Sequence, residues 1–122
     1  KFLPFQNKYN LKRILNITDA AYVSFARKPI METNSPNKFF DALAAGKLII
    51  TNTGGWVKDI VVNEQCGFYY DPDKPKSFVE QLKPYMQQTD LLDKAQSNAR
   101  KVAESKFART AQVEKLVDLI SQ

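Results

Sequence analysis

The fold is decided by residues 35–55, which read SPNKFFDALAAGKLIITNTGG. The first half has apolar side chains at helical spacing and ends at Gly46, so it predicts a helix over about 36–45. The second half contains the apolar run Leu48–Thr51, which predicts a buried strand, and then a Thr-Gly-Gly loop. A helix followed closely by a strand without polar alternation is typical of a parallel α/β sheet.

The rest of the chain continues this alternation of strands and helices. Strands are predicted near residues 1–5, 20–25, 48–52 and 67–70. Helices are predicted over about 9–17, 36–45, 75–87, 90–105 and 109–121, with a further short helix at Val57–Val61. Right-handed crossovers would place the four strands side by side in chain order. We therefore expect one α/β domain over residues 1–122, with a parallel sheet of about four strands, flanking helices and a helical C-terminal tail.

The composition limits the available chemistry. The chain has 122 residues, of which 43% are hydrophobic and 25% are charged, as in a folded globular domain. It contains no histidine and one cysteine, Cys66, which excludes the usual zinc sites, histidine-dependent catalysis and a disulfide within the chain. The net charge of +5 suits an anionic ligand, and a merely solubilising surface explains it equally well.

The start of the helix over 36–45 is the first candidate site. Parallel sheets bind ligands beyond the carboxyl ends of their strands, where such a helix begins. Ser35 is expected to cap the helix and Pro36 to occupy its first position. Lys38 would then lie in the first turn, where the helix dipole favours an anion, so that a bound phosphate would explain its position. The alternative is an exposed lysine with a small dipole penalty.

Two further features each have two interpretations. Asp41, three residues after Lys38, could accept hydrogen bonds from two vicinal hydroxyls or form an i,i+3 pair with Lys38. Gly54 and Gly55 could let backbone amides approach a ligand or could serve a tight turn between strand and helix.

The Asp71-Pro72-Asp73 segment and three aromatic residues are interpreted as structural. An Asp-x-Asp pair can hold a divalent metal, but here it follows the last predicted strand and leads into a helix, which favours turn formation. Trp56, Tyr69 and Tyr70 have apolar neighbours, which favours a place in the core over stacking on a base.

Four segments carry a resemblance to a known family: SPNKFFDALAAGKLIITNTGG, AAYVSF after Asp19, GFYYDPDKPKSF and SNARKVAESKFART. With them the chain resembles the retaining, GT-B-fold glycosyltransferases of family 4 (glycosyl transferases group 1), and among these a bacterial branch with Ser-Pro-Asn-Lys that acts in surface-polysaccharide synthesis. The resemblance covers nearly the whole chain. It implies a Rossmann-like, C-terminal donor-binding part of such an enzyme, inactive without an N-terminal acceptor domain.

The resemblance also implies roles for individual residues. Asp41 matches the second acidic position of the family motif, which holds the nucleotide ribose. The first acidic position falls on Thr33, and Glu32, one residue away, is the candidate for its role at the reacting centre. Lys38 is the candidate for stabilising the leaving diphosphate. The residues expected to bind the donor are Ser35, Pro36, Asn37, Asp41, Gly54 and Gly55.

The function implied by the resemblance is retaining transfer of a sugar from a nucleotide diphosphate, uridine-linked, to a lipid-linked or glycan acceptor. The expected location is the cytoplasm, including the inner face of the membrane. The resemblance implies neither a metal nor a cofactor, and no nucleic acid as partner. Because an unpaired sheet edge invites pairing with another copy, a homodimer is expected through Lys1–Phe5 or the neighbouring strand.

Two alternatives from other classes remain open. A non-catalytic α/β binding or regulatory domain, such as a phospho-receiver, has a similar length, but it needs acidic residues at the ends of its first and third strands. Lys1–Phe5 and Leu48–Thr51 end without them. One half of a nucleotide-sugar epimerase would be expected to contribute histidine, which this chain lacks.

Overall fold

A computed structural model describes all 122 residues, which form six α-helices, one 3₁₀ helix and three strands. The strands are β1 (Ala20–Val23), β2 (Leu48–Thr51) and β3 (Gly67–Tyr69). The helices are α1 (Lys8–Ile17), α2 (Asn37–Ala44), α3 (Gly55–Asn63), α4 (Pro75–Gln87), α5 (Thr89–Lys106) and α6 (Arg109–Ile120), with the 3₁₀ helix at Pro29–Thr33. None of these helices has both the length and the apolar character needed to cross a bilayer.

The three strands form one parallel sheet in the order β1-β2-β3. Tyr22 of β1 pairs with Ile50 of β2, which pairs in turn with Phe68 of β3. Helix α2 lies between β1 and β2 in the chain and α3 lies between β2 and β3, as crossovers between parallel strands require. The predicted α/β fold with a parallel sheet and flanking helices is confirmed.

The predicted strand at Lys1–Phe5 is wrong, so the sheet has three strands instead of four. The segment has no regular structure, and the side chains of Phe2 and Phe5 are fully exposed. A strand needs a neighbour for its N–H and C=O groups, and here the segment pairs with none, while Pro4 has no N–H to offer. Lys1–Phe5 is therefore not an edge strand through which the expected dimer could form, and pairing through the neighbouring strand, β1, stays a prediction.

The core lies on both faces of β2. Successive side chains of a strand point to opposite faces of the sheet. Ile49 packs with Phe39 and Leu43 of α2, whereas Ile50 packs with Phe68 and with residues of α4 and α5 on the other face. Every residue of β2 is buried.

Helix α2 ends as predicted but begins differently. Its first residue is Asn37, and the buried Pro36 precedes it as the N-cap residue in an extended conformation. Ser35 is exposed and makes no capping hydrogen bond, so the predicted Ser35 cap and the predicted place of Pro36 inside the helix are wrong. Because the backbone of Pro36 is extended, with a ψ of 121°, the helix starts one residue later than the capping pattern indicates. Gly46 follows the helix with a φ of +62°, as expected for a glycine that stops a helix.

We predict that Gly67→Ala will destabilise the chain by about 2–3 kcal/mol. The first atom of a side chain at Gly67 would lie 1.8 Å from the carbonyl oxygen of Ile49, so β3 would have to move away from β2. The control is Gly46→Ala, where the nearest atom is 3.4 Å away and only the left-handed backbone costs energy, about 1–2 kcal/mol. Urea unfolding of both variants measures the difference. Equal losses of unfolding free energy would contradict the proposed close contact.

Candidate functional site

The carboxyl ends of the strands border a small polar cavity of about 80 Å³. Because the strands are parallel, the loops that follow them lie at the same edge of the sheet. The cavity is lined by residues after β1, by the 3₁₀ helix and by residues at the ends of β2 and β3. The polar members are Arg27, Lys28, Glu32, Asn52, Thr53 and Tyr69.

Asn52 joins the loops after β1 and β2. Its side-chain carbonyl accepts a hydrogen bond from the N–H of Phe25 at 3.0 Å, and its amide nitrogen donates to the carbonyl of Phe25 at 3.1 Å. One side chain thereby continues the pairing of β1 with β2 beyond the end of the sheet. The role of Asn52 was not predicted from the sequence, although an amide side chain directly after a buried strand is an indication of such a contact.

Glu32 packs against the glycine loop before α3. A side-chain carbon at Gly55 would lie 2.6 Å from the carbonyl oxygen of Glu32, and Gly55 has a φ of +67°. A side-chain carbon at Gly54 would lie 3.0 Å from a carboxylate oxygen of Glu32. Both glycines therefore make room for Glu32, and its carboxylate lies beside the start of α3, where the helix dipole favours negative charge.

Lys38 reaches back from the first turn of α2 toward β1. Its ammonium donates a hydrogen bond to the carbonyl of Ser24 at 3.1 Å and lies 4.3 Å from the centre of the Phe25 ring. Phe25 lines the polar cavity, so Lys38 approaches the cavity from its α2 side. Asn37 and Lys38 are both exposed, and their backbone N–H groups are among those that a helix leaves without an internal acceptor.

Asp41 lies in a different depression from the glycine loop. It is exposed and lines a groove of about 640 Å³ with Lys8 and Lys12 of α1 and Arg100 of α5. It forms no ion pair with Lys38, because Lys38 extends toward the start of α2 and bonds Ser24 instead. Because Lys38, Asp41 and the two glycines all follow the carboxyl ends of adjacent strands, the sequence predicts that they face one cleft. For Asp41 this prediction is wrong, since it lines a different depression from Gly54.

Arg27 connects the loop after β1 to the loop after β3. Its guanidinium forms ion pairs with Asp71 and Asp73, and the hydrogen bond that it donates to Asp73 is the main cause that raises the pKa of Arg27 above its ordinary value. Asp71 also accepts a hydrogen bond from the N–H of Asp73 at 3.1 Å, which is the turn interpretation made for this segment. The sequence signal that was overlooked is the pair Arg27-Lys28, two cations soon after a strand.

The aromatic residues differ in how deeply they belong to the core. Trp56 packs on Phe39 and Phe40 at ring distances of 5.6 and 6.0 Å, and its indole N–H donates to the carbonyl of Asn34 at 3.0 Å. Tyr70 packs on the core beneath α4, where burial, assisted by a hydrogen bond with a neighbouring tyrosine, raises its pKa to about 12. Tyr69 is half-buried and borders the polar cavity instead.

Comparison with known proteins defines the class of this molecule. The fold is an α/β sheet whose polar and cationic residues gather at the carboxyl ends of its strands. The family model described as "Glycosyl transferases group 1" matches residues 1–102, and the chain belongs to that family. No curated protein and no solved structure matches the chain significantly. Members of this family are transferases that move a sugar from a donor to an acceptor. Membership therefore favours sugar transfer over the regulatory and epimerase alternatives.

We predict that Asn52→Ala will lower the free energy of unfolding by about 1–3 kcal/mol, because the N–H and C=O groups of Phe25 lose their partners in a half-buried place. The matched control is Asn63→Ala at the exposed end of α3, where the loss should stay within about 0.5 kcal/mol. Urea unfolding measures both values. If the two substitutions cost the same, Asn52 does not hold the loops together.

Proposed function

We propose that the chain is the donor-binding part of a retaining, GT-B-fold glycosyltransferase of family 4. Its donor is a uridine-linked nucleotide diphosphate sugar, and its acceptor is a lipid-linked or growing glycan of bacterial surface polysaccharide or lipopolysaccharide. The observation that supports this best is the group of cations Arg27, Lys28 and Lys38 around the carboxyl ends of the strands in a chain of the group 1 glycosyltransferase family. Positive charge at this edge suits a diphosphate.

In this proposal the donor lies along α2. The diphosphate meets the exposed first turn, formed by the Ser35-Pro36-Asn37-Lys38 segment, and the ribose hydroxyls meet Asp41. Lys38 and Asp41 are three residues apart, which is about 4.5 Å along a helix axis. A nucleotide can bridge that distance, so the two depressions described above would receive two parts of one ligand.

The proposed catalysis is electrostatic. Lys38 and the free N–H groups at the start of α2 stabilise the charge that develops on the leaving diphosphate. Lys38 can turn from the Ser24 carbonyl to a phosphate because its ammonium is exposed and its stem is flexible.

Glu32 takes the role of the first acidic residue at the reacting centre in this proposal. Two contacts support this choice over Thr33. The carboxylate of Glu32 lies against Gly54 at the cavity, whereas the hydroxyl of Thr33 donates to the carbonyl of Ile30 within its own turn. Gly54 and Gly55 then set the place of this carboxylate, and through it the space left for the sugar.

In the cell we propose that the chain acts in the cytoplasm together with an acceptor-binding domain. A lipid-linked acceptor would bring the enzyme to the inner face of the membrane. These proposals follow from the type of acceptor and are tested separately from donor binding.

Donor binding is tested by calorimetric titration of the chain with uridine diphosphate and with uridine. Asp41→Asn should weaken both ligands about tenfold, because it removes a charged acceptor of hydrogen bonds from the ribose. Lys38→Ala should weaken uridine diphosphate by a similar factor and leave uridine unchanged, because only the diphosphate contacts the ammonium. Asp59→Asn on the exposed face of α3 is the control and should change neither.

The result that contradicts the proposal is equally definite. If the unsubstituted chain binds uridine diphosphate no better than uridine, the diphosphate site is absent. If Asp41→Asn and Asp59→Asn behave alike, Asp41 does not hold the ribose.

A further inference from the structure

Arg27 occupies an unusual position across the edge of the sheet. It lies four residues beyond the end of β1, and its partners Asp71 and Asp73 follow β3, so the contact passes over the loop after β2. A guanidinium nitrogen lies 3.6 Å from the carboxylate of Asp71, and another donates a hydrogen bond to Asp73. Arg27 also lines the polar cavity beside Lys28.

This ion pair is weakly held. The side chains of Arg27 and Asp73 are 59% and 72% exposed, and that of Asp71 is 32% exposed. Ion pairs at such exposure contribute little to stability, because solvent screens the charges and two long side chains must be held in place. The contact can therefore break at little cost to the fold.

The guanidinium has unused capacity for an anion. A guanidinium carries five N–H donors in a planar fork, and Arg27 makes one hydrogen bond, to Asp73. The fork matches phosphate oxygens, and a diphosphate carries more charge than either carboxylate. An anion in the cavity would lie against the same side chain that the aspartates now hold.

We propose that Arg27 is a further phosphate-binding residue of this site, which Asp71 and Asp73 hold until the diphosphate of the donor replaces them. The inference rests on the proposed function, since it takes the donor's diphosphate as the ligand. Asp71 and Asp73 then act as competitors for Arg27, and they set how strongly the empty site resists a phosphate.

Competition predicts whether each substitution weakens or strengthens phosphate binding. Arg27→Ala removes a phosphate ligand and weakens binding. Neutralising Asp71 and Asp73 frees the guanidinium and strengthens binding, but only while Arg27 is present. A general effect of two removed negative charges would instead strengthen binding whether or not Arg27 is present, so a double-mutant cycle separates the two causes.

The experiment is calorimetric titration of the chain with inorganic pyrophosphate. Arg27→Ala should weaken binding about tenfold. The pair Asp71→Asn with Asp73→Asn should tighten it about threefold to tenfold, and the same pair added to Arg27→Ala should change it by less than about twofold. Arg27→Lys keeps the charge without the planar fork, so its affinity for pyrophosphate should lie between those of the unsubstituted chain and Arg27→Ala. Arg109→Ala, which removes an exposed arginine of α6, should have no effect.

Two results would overturn the inference while leaving the proposed function intact. One is binding of pyrophosphate that Arg27→Ala leaves unchanged. The other is equal tightening by the aspartate substitutions with and without Arg27. If the unsubstituted chain binds neither pyrophosphate nor uridine diphosphate, the proposed function fails and this inference fails with it.

Discussion

The burial of β2 on both faces is the constraint on which the rest of the structure depends. Each residue of Leu48–Thr51 is buried, with Ile49 in one apolar cluster and Leu48 and Ile50 in the other. Helices must therefore cover both faces, which α2 and α3 do on one side and α4 on the other, while α5 contributes to both clusters. A central strand that is buried on both faces is typical of a parallel sheet with helical crossovers.

The position of the candidate site follows from the same constraint. Parallel pairing brings the loops after all three strands to one end of β2, and two contacts join them there. Asn52 bonds the backbone of Phe25, and Arg27 bonds Asp71 and Asp73. The first contact is half-buried, and the second is exposed and, in our proposal, exchangeable. A stable frame with one exchangeable cation suits a site that must accept and release a charged ligand.

Local patterns predicted most of the fold because they depend on near neighbours in the chain. Helical periodicity and the stop at Gly46 belong to this kind, and so does the apolar run of β2. The strand prediction at Lys1–Phe5 failed because a strand forms only where another strand pairs with it, and composition does not reveal the partner. The contact between Arg27 and Asp73 joins residues 46 positions apart, so no local pattern indicates it. The orientations of the Lys38 and Asp41 side chains depend on the groups that each side chain contacts, and residue spacing alone does not predict those contacts.

Donor binding at the carboxyl ends of the strands is tested most directly by mapping the amide signals of the chain by nuclear magnetic resonance during titration with uridine diphosphate. The largest shifts are expected at Arg27-Lys28, at Asn37-Lys38, at Asp41 and at Asn52–Gly55, around the carboxyl ends of the strands. Shifts confined to α4, α5 and the open side of β3, with the strand-end loops unchanged, would contradict it.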